Sequence, residues 1–306
     1  MNRISGASPD FLADLTVIIV NYNAARFLNR CLESVFAQDG VRFEVLVVDN
    51  ASTDHSRNLI QESFPKVHLI ANSINMGFSR ANNQALESAA GEYIYFLNPD
   101  TEVQPGAFSR MVAYLSVHPE VGIAGTRIVN PDGSSQSSVE WRYPGGKHGE
   151  KEIKRRIGFP TGDTNPIAWV LGASMVARRS LLREIGGFDE RFFLYGEDAD
   201  ICLRVRQAGF RIGFIPEAAV LHWGGQSERG HCRLAVWEKK VRAETLFYDK
   251  HYSKATCRRI HREGLLKAYW RLLTLEAETI FLGKKEKNLE KRLKYRAVAR
   301  GYRWNP

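Results

Sequence analysis

The sequence of 306 residues predicts an α/β protein with a mainly parallel central sheet and a C-terminal helical extension. Between residues 15 and 97, short apolar runs rich in β-branched residues alternate with segments whose apolar residues recur at helical spacing. Strands that alternate with helices favour a parallel sheet joined by right-handed crossovers. Beyond residue 230 the sequence is typical of basic and amphipathic helices, which predicts the extension.

The individual elements follow from the same patterns, taken in chain order. Strands are predicted at residues 15–20, 43–48, 67–71 and 93–97, and helices at 25–38, 56–63 and 79–90. Residues 131–162 are rich in Gly, Pro, Ser and charge, so we predict a long loop that closes over a substrate. Further strands are predicted at 168–177, 211–215 and 219–222, and further helices at 180–185 and 197–208.

Composition excludes several classes of protein. Apolar residues make up 44% and charged residues 25%, as in ordinary globular proteins. The four cysteines show no CxxC spacing, so neither a disulfide framework nor a zinc cluster is predicted. The early apolar run is too short for a signal peptide, and no window of about 18 residues lacks charge. We therefore expect a cytoplasmic protein.

The formal charge of +9 is concentrated near the C-terminus, where nine Lys and Arg residues between 284 and 303 face two Glu residues. This pattern favours an anionic partner, either membrane or nucleic acid. A nucleic-acid-binding protein would interleave basic and aromatic residues along one element, whereas the strand-end loops here are acidic and amidic, so no nucleic acid is predicted. The stretch "GLLKAYWRLLTLEAETIFLG" fits peripheral contact with the anionic inner face of the cytoplasmic membrane, or a helical homodimer contact.

Polar residues crowd the segments that follow the first four predicted strands: "VNYN", "VDNASTD", "ANSINMGFSRANN" and "LNPDT". In parallel sheets, ligands bind outside the carboxyl ends of the strands. Neither a GxGxxG nor a GxxxxGK[ST] loop follows the first strand. A dinucleotide-dependent dehydrogenase and a P-loop kinase are therefore not predicted, while a nucleotide ligand remains compatible with the sequence.

Three sets of ionisable side chains are candidates for metal binding or proton transfer. Asp100 either coordinates a divalent cation or belongs to an ordinary Asn-Pro-Asp turn. The carboxylates in "YGEDAD" either complement a helix N-terminus or repel one another until one becomes a general base. His222 is either a packed residue or a metal ligand together with Asp100.

The stretch "VLVVDNASTD" combines two roles. Ser52, Thr53 and Asp54 precede a predicted helix and suit its free backbone N–H groups. Asp49 comes too early to cap that helix and ends a buried strand. It is therefore predicted to bind a ligand.

Together, "VIIVNYN", "VLVVDNASTD", "NMGFSRANN", "YFLNPDT", "LGASMVARRSLLREIGGFDERFFLYGEDADICLRVRQAGF" and "LHWGGQS" resemble, in this order, the family-two glycosyltransferases of GT-A fold. Within that family they resemble the bacterial rhamnosyltransferase-like branch. The resemblance implies inverting transfer of a sugar from a nucleotide diphosphate to an acceptor hydroxyl. It also implies an N-terminal extension (1–14), a nucleotide-sugar half (15–101), an acceptor half (102–230) and a helical, basic region (231–306).

The resemblance carries roles to individual residues. Asp198 matches the catalytic base, and Asp100 with His222 matches the site for Mg²⁺ or Mn²⁺. Donor contacts are implied for Asn21, Asn23, Asp49, Asn75, Gly77, Arg80, Asn98 and Asp100. Within that set, Asp49 would bind the base, Arg80 would meet phosphate, and Asn98 replaces the first Asp of the family's DxD motif. On the acceptor side, Trp169 would stack on a sugar, beside Asp189 and Glu197.

The branch also suggests substrates. We expect dTDP-L-rhamnose as donor and a glycan or lipid-linked glycan of a bacterial cell-surface polysaccharide as acceptor. A UDP-sugar donor, galactofuranose or hexose, is the alternative. A sugar nucleotidyltransferase is a weaker one, because "NYNAARF" lacks the glycine-rich basic loop that such enzymes place after the first strand.

Overall fold

The structure is a computed structural model that describes residues 13–157, 167–224, 232–282 and 285–302. Most of the predicted N-terminal extension, residues 1–12, lies outside the described residues, as do Lys284 and Arg303 of the basic C-terminal segment.

The first seven predicted elements are confirmed in type and order. They are β1 (Leu15–Asn21), α1 (Ala25–Phe36), β2 (Phe43–Asp49), α2 (Ser56–Ser63), β3 (His68–Ala71), α3 (Phe78–Ser88) and β4 (Tyr93–Leu97). Their patterns can be recognised in the sequence because β1, β2 and β4 are buried on both faces, whereas helix α1 buries only one of its faces.

The middle of the chain departs from prediction. It contains β5 (Thr101–Val103), α4 (Ala107–Val117), β6 (Val121–Val129), β7 (Ser135–Gln136), β8 (Val139–Glu140) and α5 (Gly146–Ile157). The expected long loop at 131–162 is therefore wrong over half of its length, which α5 and two short strands occupy. Of its two short strands, β7 forms a hairpin with the preceding β6, and β8 pairs with the distant β9 (Trp169–Val170). Residues 158–162 of that loop lie outside the described part of the chain.

The next elements are β10 (Ser174–Arg178), α6 (Arg179–Glu184), α7 (Glu197–Gln207) and β11 (Arg211–His222). The single strand predicted at 168–177 is wrong, because a turn at residues 171–173 separates β9 from β10. The two strands predicted at 211–215 and 219–222 form one strand, whose register shifts between Ile215 and Ala219. Three helices follow: α8 (Arg233–His251), α9 (Lys254–Leu282) and α10 (Lys285–Gly301).

The described residues form a nine-stranded sheet of order β3-β2-β1-β4-β10-β6-β11-β5, with β7 paired to β6. Strands β3, β2, β1 and β4 are parallel, and β6 and β11 are parallel to each other. Strand β10 is antiparallel to both β4 and β6, so these two blocks run in the same direction. The predicted mainly parallel sheet is confirmed, and its order reverses at β1, where α/β proteins place ligands.

Two hydrophobic clusters cover the faces of the sheet. On one face α1 and α4 pack against alternate strand residues such as Val17 and Tyr95. On the other face α3, α6 and α7 pack against the intervening residues, such as Ile18 and Phe96. This sandwich fixes the strand ends, and therefore the loops that carry polar side chains.

A third cluster joins the C-terminal helices to the rest of the molecule. Phe247 and Tyr248 of α8 pack with Tyr302, with Ile153 of α5 and with Leu203 of α7. Helix α10 packs along both α8 and α9. Among the described residues, no helix has both the length and the apolar character needed to span a bilayer.

Candidate active site

A cleft of about 450 Å³ opens at the carboxyl ends of β1 and β4. Its walls are formed by residues between Val20 and His222 and by two residues of α8. Among the residues predicted from sequence, those that line it are Asn75, Gly77, Asn98, Asp100, Glu197, Asp198 and His222. The cleft therefore contains the predicted base and both predicted metal ligands.

Asp100 and His222 meet because β5 and β11 pair side by side, with His222 opposite Thr101. His222 Nε2 lies 3.4 Å from Asp100 Oδ1, and both side chains are almost fully buried. The other ring nitrogen, Nδ1, is hydrogen-bonded to Gln136 Oε1 at 3.0 Å. A partner on Nδ1 fixes the ring orientation and leaves Nε2 beside the carboxylate, as in many metal-binding histidines.

Asp198 lies on another wall of the cleft, in the first turn of α7. Its carboxylate accepts hydrogen bonds from the Ala199 N–H at 2.8 Å and from the Gly172 N–H at 3.4 Å. Burial raises its pKa to about 6, although these two hydrogen bonds favour the ionised form. A carboxylate in this state accepts a proton near neutral pH.

Glu197 is the neighbouring carboxyl group, with 6% of its surface exposed. Burial, together with the charge of Asp198, raises its pKa well above the usual range, so the neutral acid is favoured. Its Oε2 is buried and has no hydrogen-bond partner. Buried oxygens normally have partners, so this atom is available to a ligand.

The loop after β3 forms the wall opposite α7. Asn50 Nδ2 donates to Asn75 Oδ1 at 2.9 Å, and the N–H of Gly77 donates to the same oxygen at 3.0 Å. Gly77 has φ of +85°, and a Cβ there would lie 2.7 Å from the Phe193 ring and carbonyl. Glycine is therefore required in "NMGF" for two reasons: its positive φ, and the close contact between Gly77 and the loop at Phe193.

Asp49 does not line the cleft. It is fully buried and accepts hydrogen bonds from Asn21 Nδ2 at 2.9 Å, from the Ser52 N–H at 3.1 Å and from Arg57 Nε at 2.5 Å. Asn21 is also fully buried, and its Oδ1 lacks a partner. A base-binding role for Asp49 stays a prediction, and the structure adds Arg57 as its ion-pair partner.

Asn23 and Asp54 connect the first two strand-end loops. Asn23, at φ of +52°, accepts a hydrogen bond from the Thr53 N–H at 2.7 Å. Asp54 accepts from the N–H groups of Ala25 and Ser56, both at 3.0 Å, and so serves the start of α1 and of α2. Of the three residues expected at the start of α2, Asp54 accepts a hydrogen bond from its first N–H, while the N-cap position is His55, whose side chain makes no capping hydrogen bond.

Two predicted site residues point elsewhere. Arg80 forms an exposed ion pair with Glu190, Nε to Oε2 at 3.1 Å, and does not line the cleft. Asp189 is bound by Arg191 and by Lys250 of α8, each at 2.6 Å. The hydrogen bonds from Arg191 hold its pKa well below the usual range, so Asp189 is an ionised anchor for α8.

Trp169 lines a second cavity of about 250 Å³, which shares Tyr195, Glu197 and Asp198 with the cleft. The walls of this second cavity come from β9, from the start of α7 and from α8 and α10. The catalytic carboxylate predicted from sequence thus lies where two cavities meet.

Sequence reasoning missed several residues that line the cleft: Tyr22, Gln136, Tyr195, Lys239 and Lys240. The two lysines belong to "WEKKVRAE" in α8, which was predicted only to be part of the helical, basic C-terminal region. Tyr195 has φ of +74°, a strained backbone in a non-glycine residue that marks functional loops. Apart from Tyr22, which directly follows β1, no spacing in the sequence connects these positions with the strand ends.

The fold and this site define a nucleotide-sugar glycosyltransferase. The profile of the family described as Glycosyl transferase family 2 matches residues 16–186, more than half of the chain. The protein therefore belongs to glycosyl transferase family 2, and it resembles bacterial rhamnosyltransferases. The family and fold predicted from the sequence are confirmed.

One curated relative is N-acetylglucosaminyl-diphospho-decaprenol L-rhamnosyltransferase of Mycobacterium tuberculosis. It is 31% identical over 232 residues, which cover 68% of this chain and 75% of the relative. Among solved structures, the mannosyltransferase PcManGT from Pyrobaculum calidifontis in complex with GDP-Man and Mn²⁺ has a TM-score of 0.60 at 19% identity, covering 98% of this chain and 90% of that one.

A second structure, S. aureus TarS 1–349 in complex with UDP-GlcNAc, has a TM-score of 0.53 at 18% identity. The match covers 81% of this chain and 70% of that one. Both likenesses confirm the GT-A fold.

Proposed function

We propose that this protein is an inverting, metal-dependent glycosyltransferase that moves a sugar, L-rhamnose in our first choice, from a nucleotide diphosphate to an acceptor hydroxyl. The observation that carries the proposal is one cleft with Asp100 and His222 on one wall and Asp198 on another. This arrangement separates a site for an anionic leaving group from a base for an incoming hydroxyl. Inverting transfer requires both.

The donor would occupy the part of the cleft formed by the strand-end loops. Asn50, Asn75 and Gly77 line its wall and present amide and backbone polar groups. Asn21, Asn23 and Asp49 would act from behind this wall by holding the loops in place. Arg80 is ion-paired with Glu190. It would have to break this ion pair before it could bind a phosphate.

Asp100 and His222 fit a divalent cation such as Mg²⁺ or Mn²⁺. A carboxylate oxygen and an imidazole nitrogen lie 3.4 Å apart at the cleft wall, and Gln136 orients the ring. Within the described part of the chain, His, Cys, Asp and Glu side chains form no group of three or more that would hold a metal. Donor oxygens and water would complete the ligand set. When bound, the cation would supply charge neutralisation for the diphosphate.

Asp198 would take the proton from the acceptor hydroxyl while that oxygen forms its bond to the anomeric carbon. The bond between that carbon and the diphosphate oxygen breaks, and the attack comes from the opposite face. The N–H groups of Ala199 and Gly172 hold the Asp198 carboxylate in place for this proton transfer. Orientation of a base in this way contributes to catalysis.

The similarity to a rhamnosyltransferase supports dTDP-L-rhamnose as the donor, and UDP-sugars are the second choice. The test is transfer by the purified protein with Mn²⁺ or Mg²⁺, offering each donor with N-acetylglucosaminyl diphosphate on a short prenyl chain. We expect rhamnose transfer that is lost with a chelator. Turnover only with a UDP-sugar would correct the donor. Pyrophosphate release from a nucleoside triphosphate and a sugar phosphate would instead indicate a nucleotidyltransferase.

We further propose that α9 rests on the anionic face of the cytoplasmic membrane, in the synthesis of a cell-surface polysaccharide. Five apolar side chains on one face of α9 are exposed by 65% to 82%: Leu266, Trp270, Leu273, Ile280 and Phe281. Exposed Arg259 and Arg262 continue the same face toward the helix N-terminus. An apolar stripe next to cations suits an anionic bilayer surface.

Sedimentation with vesicles tests this surface. The protein should pellet with vesicles that contain phosphatidylglycerol and stay in solution with pure phosphatidylcholine. The double change Trp270→Glu and Leu273→Glu should abolish pelleting, whereas Ile74→Glu, at an apolar residue exposed elsewhere, should not. If the double change instead halves the solution mass and leaves pelleting intact, the stripe is a homodimer contact.

A further inference from the structure

Lys250 of α8 bridges two carboxylates on either side of the proposed base. Its Nζ lies 2.6 Å from Asp189 Oδ2 and 2.6 Å from Asp200 Oδ1. We propose that Lys250 is a positioning residue for the transfer reaction, which fixes residues 189–200 and with them Asp198. This role rests on the glycosyltransferase function proposed above. Lys250 and both carboxylates lie beyond the part of the chain that the family profile matches.

The first half of this segment is a loop that forms part of the cleft. Residues 189–196 contain neither helix nor strand, and α7 begins directly after them. Phe193 and Tyr195 line the cleft from this loop, as does Asp198 from the first turn of α7. The Phe78 N–H donates to the Phe193 carbonyl at 2.7 Å. A loop without a strand ladder opens more easily than the core, so its position depends on side-chain contacts.

The backbone of the loop also has to be held in place. Tyr195 and Gly196 are consecutive residues with φ of +74° and +80°. This conformation is unfavourable for tyrosine and persists where the surroundings fix it. The Phe192 ring packs on Gly196, where a Cβ would lie 3.2 Å from it, and Lys250 Nζ lies 5.9 Å from the centre of the same ring. Lys250 therefore lies against the middle of the segment as well as both of its ends.

The other charged partners of the two carboxylates do not span the segment. These partners are Arg191, 2.6 Å from Asp189, and Arg204 and His251, 2.8 Å and 2.7 Å from Asp200. Arg191 belongs to the same loop as Asp189, and Arg204 to the same helix as Asp200. His251 joins α8 to Asp200 only. Among the described residues, Lys250 is the basic side chain that forms ion pairs with both carboxylates.

This distribution of partners separates positioning from folding. Without Lys250, Asp189 keeps Arg191, and Asp200 keeps Arg204 and His251. Neither carboxylate is left as an unpaired buried charge, so the fold should survive the change Lys250→Met. The link between the loop and α7 is lost, and a small displacement of a base lowers the rate of proton transfer.

The experiment measures sugar transfer by the full chain with the donor that the wild type accepts. Lys250→Met should lower kcat about a hundredfold. The affinity and stoichiometry of nucleoside diphosphate binding with Mn²⁺, measured by calorimetry, should stay within about twofold, because Asp100 and His222 lie on another wall. Lys250→Arg, whose guanidinium can bond to two carboxylates, should restore kcat to within about fivefold of the wild type.

Arg191→Met is the matched control. It removes a cation from the same carboxylate, Asp189, but Arg191 is 62% exposed and connects the loop only to itself. Its kcat should stay within about twofold of the wild type.

A second measurement does not depend on turnover. Amide hydrogen exchange in residues 189–200, followed by mass spectrometry, should be at least about tenfold faster in Lys250→Met than in the wild type, and unchanged in Arg191→Met. Unchanged exchange in this segment overturns the inference whatever the value of kcat. A loss of kcat matched by an equal loss of binding stoichiometry, or no recovery in Lys250→Arg, also overturns it. If the wild type transfers no sugar while the segment still loosens in Lys250→Met, the glycosyltransferase proposal fails and the fixing of the segment by Lys250 stands.

Discussion

At the scale of single residues, three carboxylates within four positions have opposite protonation behaviour. Glu197 and Asp198 have raised pKa values because burial disfavours their charge. For Asp200 burial has the same effect, but the hydrogen bond from His251 and the charge of Arg204 outweigh it, so its pKa is lowered. The sequence "EDAD" predicts that these carboxylates repel one another and that one of them becomes a general base. The partners on α7 and α8 decide which residue remains free to act.

The first prediction concerns Asp198→Asn. Transfer should fall by about a thousandfold or more, because the amide cannot accept the acceptor proton, while donor affinity stays within about twofold. For the wild type, the base must be ionised, so kcat should rise with pH through an ascending limb near the pKa of about 6. Steady-state rates and donor titrations from pH 5 to about 8 measure both effects.

Two outcomes would contradict this role for Asp198. One is a variant that keeps ordinary turnover. The other is an ascending limb that persists unchanged in the residual activity of Asp198→Asn. Glu197→Gln serves as the comparison, because a neutral acid replaced by an amide should retain the limb.

The second prediction concerns Asp49→Ala. The change leaves the Ser52 N–H and Asn21 Nδ2 without their acceptor, and Arg57 without its ion pair. The free energy of unfolding should fall by about 2 to 4 kcal/mol, measured by urea denaturation.

Arg57→Ala separates the structural role of Asp49 from base recognition. It removes the partly exposed partner of the same ion pair and leaves the buried Asp49 carboxylate in place. If Asp49→Ala weakens nucleotide binding and Arg57→Ala does not, the carboxylate contacts the base. Equal losses would show that Asp49 acts only by positioning the loop.

At the scale of elements, an ion cluster ties α8 to α7, the helix whose first turn contains Asp198. Asp200 is fully buried and binds Arg204 at 2.8 Å, Lys250 at 2.6 Å and His251 at 2.7 Å. Lys250 also binds Asp189. The helix that supplies Lys239 and Lys240 is therefore held by charges next to Asp198, and its position determines the shape of both cavities.

The third prediction tests this connection with Asp200→Asn. Three basic groups lose one buried counter-charge, so the free energy of unfolding should fall by about 3 kcal/mol. Thermal unfolding measures the loss. Asp39→Asn, at an exposed position, should change it by less than about 0.5 kcal/mol. A variant as stable as the wild type would show that the cluster contributes nothing to the attachment of α8.

The elements that sequence predicted are those with local patterns. Strand β1 and helix α1 are recognisable from apolar spacing alone. The two-residue strand β8 cannot be predicted in this way, because it exists only through a ladder with β9, a distant partner in sequence. Strand β11 was divided in prediction at Pro216, where the ladder to β6 shifts register instead of ending.

At the scale of the whole molecule, the site residues that sequence could place are those that follow strands or begin a helix. Asp100, Asn75 and Asp198 came from motifs, and the sheet brings their loops together. Lys240 and Trp237 depend on how α8 folds back, which no local pattern records. The domain boundary predicted at residues 230 and 231 therefore separates parts that share one cavity.

The last prediction concerns that boundary. A chain ending at residue 230 would uncover the third hydrophobic cluster, including Leu203 and Phe192, and would remove Lys250 and His251 from Asp200. Loss of so much apolar burial cannot be compensated in the remaining fold, so we expect no cooperative thermal transition and no donor binding. A chain ending at residue 302 is the control and should behave as the full protein. If the chain ending at 230 melts cooperatively and binds nucleotide sugar, the C-terminal helices are a separable domain. In that case the second cavity should be lost, whereas the cleft should lose only Lys239 and Lys240, because the second cavity takes most of its walls from α8 and α10.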